Sequence, residues 1–197
     1  TGGIGKRMSL DIPKQFIQID GAEVFIYTIK AFLSNPNIDR CVLVINSSFK
    51  DEYTSILKKH DLIDKVEMCF GGETRQESSF NAIKYLKENG AKEDDIVLIH
   101  DAIRPMVSEQ IISDNIRICR EMGNAITAVP CTAAMLKTYD SISSEEQVPR
   151  DNLKITQTPQ TFFIHDIING EIFGTLFLEH KNEDFDLKCY IEEERRH

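Results

Sequence analysis

The residues best suited to chemistry open the chain, where Thr1-Gly2-Gly3-Ile4-Gly5-Lys6-Arg7-Met8 joins three glycines to two cations. Glycine lets a backbone approach a phosphate closely with its N–H groups turned inward, and lysine and arginine supply counter-charge. Lys14 follows in Pro13-Lys14-Gln15, so residues 6–14 hold three cations against one acid, Asp11, in a chain of net charge −9. Two common phosphate loops fail on spacing. Met8 stands where G-x-G-x-x-G needs its third glycine, and Arg7 stands where the P-loop needs Ser or Thr after Gly5-Lys6. The segment reads either as another kind of anion cradle or as a tight turn with solvated cations.

Two further loops carry polar groups between apolar runs. Gly71-Gly72-Glu73-Thr74-Arg75-Gln76-Glu77-Ser78 lies between a strand pattern and a helix pattern. Its backbone and Ser78 either cap that helix or face a ligand at its N-terminus. His100-Asp101-Ala102-Ile103-Arg104-Pro105 places an acid at the carboxyl end of an apolar run, suited to a divalent metal on a nucleotide's phosphates or to a ribose hydroxyl. His100 has no His or Cys spaced to join it as a ligand set and reads as a packed or supporting histidine.

The elements that must position these loops are legible as alternating periods. Residues 41–45, 66–70, 96–99 and 125–129 are apolar at nearly every position, as strands buried on both faces are. Helical spacing appears at Val24, Ile29, Phe32 and Leu33; at Tyr53, Ile56 and Leu57; at Phe80, Ile83, Tyr85 and Leu86; and at Ile111, Ile112, Ile116 and Ile118. Ser108 and Gly123 bracket the last of these as start and stop. Strand and helix alternate about every 30 residues, which predicts βαβ units, an α/β class and a mostly parallel twisted sheet with helices on both faces. Ligands of such sheets bind beyond the carboxyl ends of the strands, where the three loops fall. A glycine-rich loop of this type normally follows a strand, so a first strand ahead of Thr1 is expected and is read as truncated or omitted. A polar stretch around Ser141, Ser143, Ser144, Glu145 and Glu146 reads as an arm, residues 131–157, within a single domain of residues 1–197.

Composition narrows the classes. With 197 residues, 41% of them hydrophobic, the chain suits one ordinary domain. No apolar run approaches a membrane span, and the opening loop does not read as a signal peptide. The acidic balance argues against nucleic acid or a membrane surface as partner. Cys41, Cys69, Cys119, Cys131 and Cys189 are odd in number and form no metal pattern, which suits reduced thiols in the cytoplasm.

In order and separation, GGIGKRM with PKQF, GGETRQES, HDAIRP and QTPQTF resemble the cytidylyltransferase family of 2-C-methyl-D-erythritol 4-phosphate and ribitol-5-phosphate, over about residues 1–163. The resemblance implies a Rossmann-like nucleotidyltransferase fold and transfer of CMP from CTP, with Mg²⁺, to a phosphorylated alditol or sugar. It implies that Gly2, Gly3 and Gly5 wrap the triphosphate while Arg7 and Lys14 neutralise it. Gly72, Glu73, Arg75 and Ser78 would surround cytosine and ribose, and Asp101 with Ala102 would lie by the ribose and the metal. Arg150 would reach from the arm of one subunit into its partner's site, Thr158 would lie near the acceptor's phosphate, and the expected assembly is a homodimer through the arm. Arg7, Lys14 and Arg150 are the residues expected to act in catalysis.

Relatives usually carry Asp-Thr on the strand entering the arm, followed in the methylerythritol enzymes by an apolar residue and Lys. Here Ala133-Ala134-Met135-Leu136 stands there, unless a register shift lets Lys137 substitute. This, with PKQF and Val148-Pro149-Arg150, tilts the expected acceptor towards ribitol-5-phosphate over methylerythritol phosphate. The same alanines, with no match after Phe163 to the relatives' phosphate-holding lysine segment, leave a non-catalytic nucleotide-binding module as the competing expectation.

Overall fold

Residues 13–144, 146–168 and 191–193 are described by a computed structural model. A 3₁₀ turn over Lys14–Phe16 leads into a small hairpin, β1 (Gln18–Ile19) and β2 (Ala22–Glu23), and then α1 (Val24–Leu33). Next come β3 (Val42–Ile45), α2 (Lys50–Lys59), β4 (Glu67–Phe70), α3 (Arg75–Glu88), β5 (Ile96–Ile99), α4 (Glu109–Met122) and β6 (Asn124–Pro130). A hairpin of β7 (Met135–Lys137) and β8 (Glu146–Val148) precedes the long β9 (Lys154–Phe163), α5 (Ile164–Ile168) and β10 (Ile191–Glu193).

Two-residue alternation decides which helix each strand face meets. In β5, Ile96 and Leu98 pack with Phe32 of α1 and Ile112 and Ile116 of α4. Val97 and Ile99 pack on the other side with Ile83 of α3, Phe162, and Ile164 and Ile167 of α5. A third cluster wedges Phe25, Ile26 and Ile29 of α1 against Leu43 and Ile45 of β3 and Tyr53 and Leu57 of α2. Helices therefore cover both faces, as the α/β pattern predicts.

The strand pairing needs one correction. β3 and β4 are parallel, as are β10 and β6, but β9 runs antiparallel to both β5 and β6 at the centre of the order β10-β6-β9-β5. The sheet is mixed. Its antiparallel centre escapes a search for apolar runs because the buried stretch of β9 includes Thr158, Gln160 and Thr161. Lys154–Gln157, assigned to the arm from sequence, pair in part with the end of β6: Lys154, Ile155 and Thr156 face Pro130, Val129 and Ala128. The excursion between β6 and β9 therefore spans residues 131–153.

α4 begins at Ser108, whose hydroxyl accepts from the amide of Ile111, and stops at Gly123 with φ +95°, a conformation that favours glycine. In the arm, the Asp140 carboxylate accepts from the amides of Ser143 and Ile142 and from the hydroxyls of Ser143 and Thr138, which together hold it well below the usual carboxylate range. Lys137 is committed to this hairpin, 3.3 Å from Glu146 and over the Tyr139 ring.

Of the cysteines, Cys69, Cys119 and Cys131 are buried free thiols and Cys41 is half-buried; Cys189 lies outside the described residues. Burial pushes the thiols of Cys41 and Cys69 up to about 11 and that of Cys119 to about 12, so they stay protonated and unreactive. Among the described residues no helix is long and apolar enough to cross a membrane.

Candidate active site

A cavity of about 900 Å³ opens between β3 and β5. Its body is apolar, and the loops beyond the carboxyl ends of β4 and β5 line it with Gly72, Glu73, Arg75, Ser78, Asp101 and Ala102. Lys14 and Gln15 join them from the 3₁₀ turn. Gln15 is buried, which anchors the turn while Lys14 faces the cavity. Seven site residues expected from sequence thus line one space.

The loop after β4 is shaped by its helix start. Thr74, not Ser78, is the N-cap: its hydroxyl accepts from the amide of Glu77, and the Glu77 carboxylate accepts from the amide of Glu73 at 2.8 Å. The threonine satisfies one amide that the helix start otherwise leaves open, and the glutamate ties down the residue ahead of the cap. Ser78 acts one turn later, its Oγ accepting from the amide of Gly72 at 3.0 Å. Glu77 folds back so closely that a Cβ on Gly72 would sit 2.2 Å from it, so only glycine fits there without displacing the acid.

The loop after β5 is tied down from three sides. The hydroxyl of Thr28 on α1 donates to the carbonyl of Ala102 at 2.8 Å. The Asp101 carboxylate lies 2.8 Å from Arg104 Nε and 3.3 Å from Arg75 Nη2, so both its oxygens meet a guanidinium. The amide of Asp101 donates to Thr158 Oγ1 at 3.3 Å. Arg104 also bonds Gln157 on β9, linking the loop to that strand a second time. His100 packs against Phe32 with its Nε2 3.0 Å from the carbonyl of Arg104. Burial pushes its imidazole below the usual histidine range, and its Nδ1 has no partner among the described residues.

Thr158 is itself 9% exposed and reaches the cavity through Asp101. Arg150 is exposed at the base of the arm, where its Nη1 donates to the carbonyl of Thr132 at 3.5 Å; it does not line this cavity. Gly2, Gly3, Gly5 and Arg7 lie outside the described residues. Sequence reading passed over Arg104, Gln157 and Thr28. Arg104 and Gln157 sit inside or next to quoted motifs, but nothing in one sequence shows that the two motifs touch. Among the described residues no three His, Cys, Asp or Glu side chains gather as a metal set. Asp101 lies among the cavity's acids with both oxygens paired to arginines. An ion such as Mg²⁺, which keeps waters and takes other ligands from phosphate oxygens, would have to displace a guanidinium to reach it.

The comparisons with known proteins agree with this geometry. The family model for IspD, 2-C-methyl-D-erythritol 4-phosphate cytidylyltransferase, matches residues 1–172. The ribitol-5-phosphate cytidylyltransferase of Lacticaseibacillus paracasei is 34% identical over 175 residues, covering 87% of this chain and 74% of that protein. The 2-C-methyl-D-erythritol 4-phosphate cytidylyltransferase of Thermosipho melanesiensis is 40% identical over 161 residues, covering 82% and 69%. The crystal structure of the Francisella tularensis 2-C-methyl-D-erythritol 4-phosphate cytidylyltransferase superposes with a TM-score of 0.75 at 28% identity, covering 98% of this chain and 86% of that one. With its α/β scaffold, a cation-lined cavity beyond the strand ends and a family match along most of its length, this chain belongs to the IspD family of cytidylyltransferases and is a nucleotidyltransferase.

Proposed function

We propose that this nucleotidyltransferase takes CTP and ribitol-5-phosphate or a closely related alditol phosphate, releasing pyrophosphate and a CDP-alditol. The observation that carries the proposal is the shared cavity of Lys14, the 72–78 loop and Asp101, with Thr158 on the Asp101 amide. Relatives are named for both acceptors. Ala133 and Ala134, both exposed at the start of the arm, favour the alditol phosphate over methylerythritol phosphate, because no polar side chain stands there to meet the latter.

In this reading the acceptor's phosphate oxygen attacks the α-phosphorus of CTP, the bond to the leaving pyrophosphate breaks, and no covalent enzyme intermediate forms. Both reactants are anions, so the chain's work is to hold them in line and offset their charge. Lys14 offsets charge on the triphosphate, joined by Arg7. The 72–78 loop, with Gly72, Glu73, Arg75 and Ser78, surrounds the base and ribose, and Gly2, Gly3 and Gly5 wrap the phosphates. Thr158 accepts from the Asp101 amide and keeps its own hydroxyl proton for the acceptor's phosphate. Asp101 would hold Mg²⁺, and the ion when bound would offset negative charge on the phosphates.

Arg150 serves the site of a second copy across an arm-mediated dimer. Tyr139 (85% exposed) and Ile142 (93%) support this reading, since the hairpin carries them, with Leu136, as uncovered apolar surface. The test is pyrophosphate release from CTP and Mg²⁺ with each acceptor, alongside sedimentation of the free protein. Turnover preferring ribitol-5-phosphate and a dimeric mass are expected. Preference for methylerythritol phosphate would overturn the acceptor assignment, and a monomer would overturn the role of Arg150.

A further inference from the structure

β6 and β9 slip out of register at one place. Ile126 faces Gln160 and Ala128 faces Thr156, so Thr127 alone on β6 stands opposite Gln157, Thr158 and Pro159 on β9. This irregularity is where β9 meets the catalytic loop: Gln157 bonds Arg104 and Thr158 accepts from the Asp101 amide. Bulges of this kind re-aim side chains beside active sites. They also leave backbone groups without ladder partners, which must be met some other way when buried.

Here the carbonyl of Pro159 is met by a buried chain of side chains. The Thr127 hydroxyl, 2% exposed, donates to the carbonyl of Pro159 at 2.9 Å. Its oxygen accepts from Asn115 Nδ2 at 2.9 Å. Asn115, fully buried on α4, gives its second amide hydrogen to the carbonyl of Ile111 at 2.9 Å, and its Oδ1 accepts from the hydroxyl of Thr161 at 3.3 Å. The direction of every bond is forced. A carbonyl only accepts, so Thr127 must donate to Pro159; its oxygen then takes a hydrogen from the Asn115 amide, which leaves Oδ1 for Thr161. Each hydrogen has one place to go, and a fully satisfied buried network of this sort fixes one arrangement.

We propose that Thr127 and Asn115 are positioning residues: they hold the β9 bulge in the single conformation that sets the Thr158 hydroxyl against the Asp101 amide. Both are buried and neither lines the cavity. The effect on catalysis rests on the acceptor-side reading of Thr158 given above, whereas the positioning itself does not. α4 thereby acts on the site from behind the sheet.

The test uses the full chain with Thr127→Val, which keeps shape and removes the hydroxyl, and Thr127→Ser, which restores it. Amide hydrogen exchange followed by NMR reads the positioning directly. In Thr127→Val the Asp101 amide is expected to exchange at least about 10-fold faster while amides within α4 keep their rates, and Thr127→Ser is expected to stay near the wild type. The acceptor KM is expected to rise about 5-fold with the KM for CTP unchanged. Should Thr127→Val not fold, Thr161→Val breaks the far end of the network and is expected to shift the same amide in the same direction. Unchanged Asp101 exchange, or acceleration shared equally by α4, overturns the proposal in favour of a purely stabilising network. Loss of Asp101 protection with both KM values unchanged supports the positioning and removes Thr158 from the acceptor site.

Discussion

The amide of Asp101 donates to the hydroxyl of Thr158 across 3.3 Å, joining residues 57 positions apart and stitching the loop after β5 to the bulge of β9. Thr158→Val leaves that amide without its partner at a largely buried position. An unmade hydrogen bond of this kind costs about 1–2 kcal/mol, so kcat/KM for the acceptor is expected to fall roughly 5- to 30-fold. Steady-state kinetics with each substrate varied in turn check this; a loss carried entirely by CTP would contradict the placement.

Lys14 stands on a turn held by the buried Gln15, so its backbone is fixed at the rim of the cavity. By analogy with the loss of one preorganised electrostatic donor, Lys14→Ala is expected to lower kcat by roughly 10²- to 10³-fold, about 2.7–4 kcal/mol. Thermal unfolding should move little. Turnover within a factor of two of wild type would remove Lys14 from the reaction.

Gly72 and Glu77 compete for one volume. A Cβ at residue 72 meets the Glu77 side chain at 2.2 Å, and moving that side chain breaks its bond to the Glu73 amide. Gly72→Ala is expected to cost about 1 kcal/mol, the worth of one hydrogen bond. Once Glu77→Ala has already removed the acid, the same substitution should cost almost nothing. Urea unfolding of the two single variants and the double variant measures the coupling; strictly additive costs would argue against the contact.

His100 sets a pH dependence. Burial holds its folded-state value below the histidine reference of about 6.5 that applies to the unfolded chain. The unfolded state therefore binds the proton more readily, and the stability contributed by neutral His100 is present above about pH 6.5 and is lost as pH falls through the depressed folded value. Comparing urea midpoints at pH 7.5 and pH 5, the wild type is expected to lose more stability than His100→Gln. Equal losses in the two proteins would mean that His100 does not titrate as its burial demands.

What the sequence makes legible follows from how each residue is buried. α4 is readable end to end because Ser108, its apolar stripe and Gly123 act locally. Asp101 and the 72–78 loop are readable because each directly follows an apolar strand. β9 is not, since Thr161 and Gln160 are buried by virtue of the sheet, and Thr161 is satisfied by Asn115, 46 positions away. The same non-locality conceals Arg104, whose partners are Asp101 in its own turn and Gln157 across the sheet. Thr74 takes the cap because its hydroxyl meets the amide three residues on, at Glu77.

Asp101 holds two guanidinium groups of the cavity before any substrate arrives. In the proposed reading, a substrate phosphate that reaches Arg104 would trade places with a resident carboxylate instead of displacing loosely held counterions from solution. Binding by such an exchange releases fewer salt ions than the number of arginines implies, so nucleotide affinity should weaken with added salt less steeply than in a pocket whose cations begin unpaired.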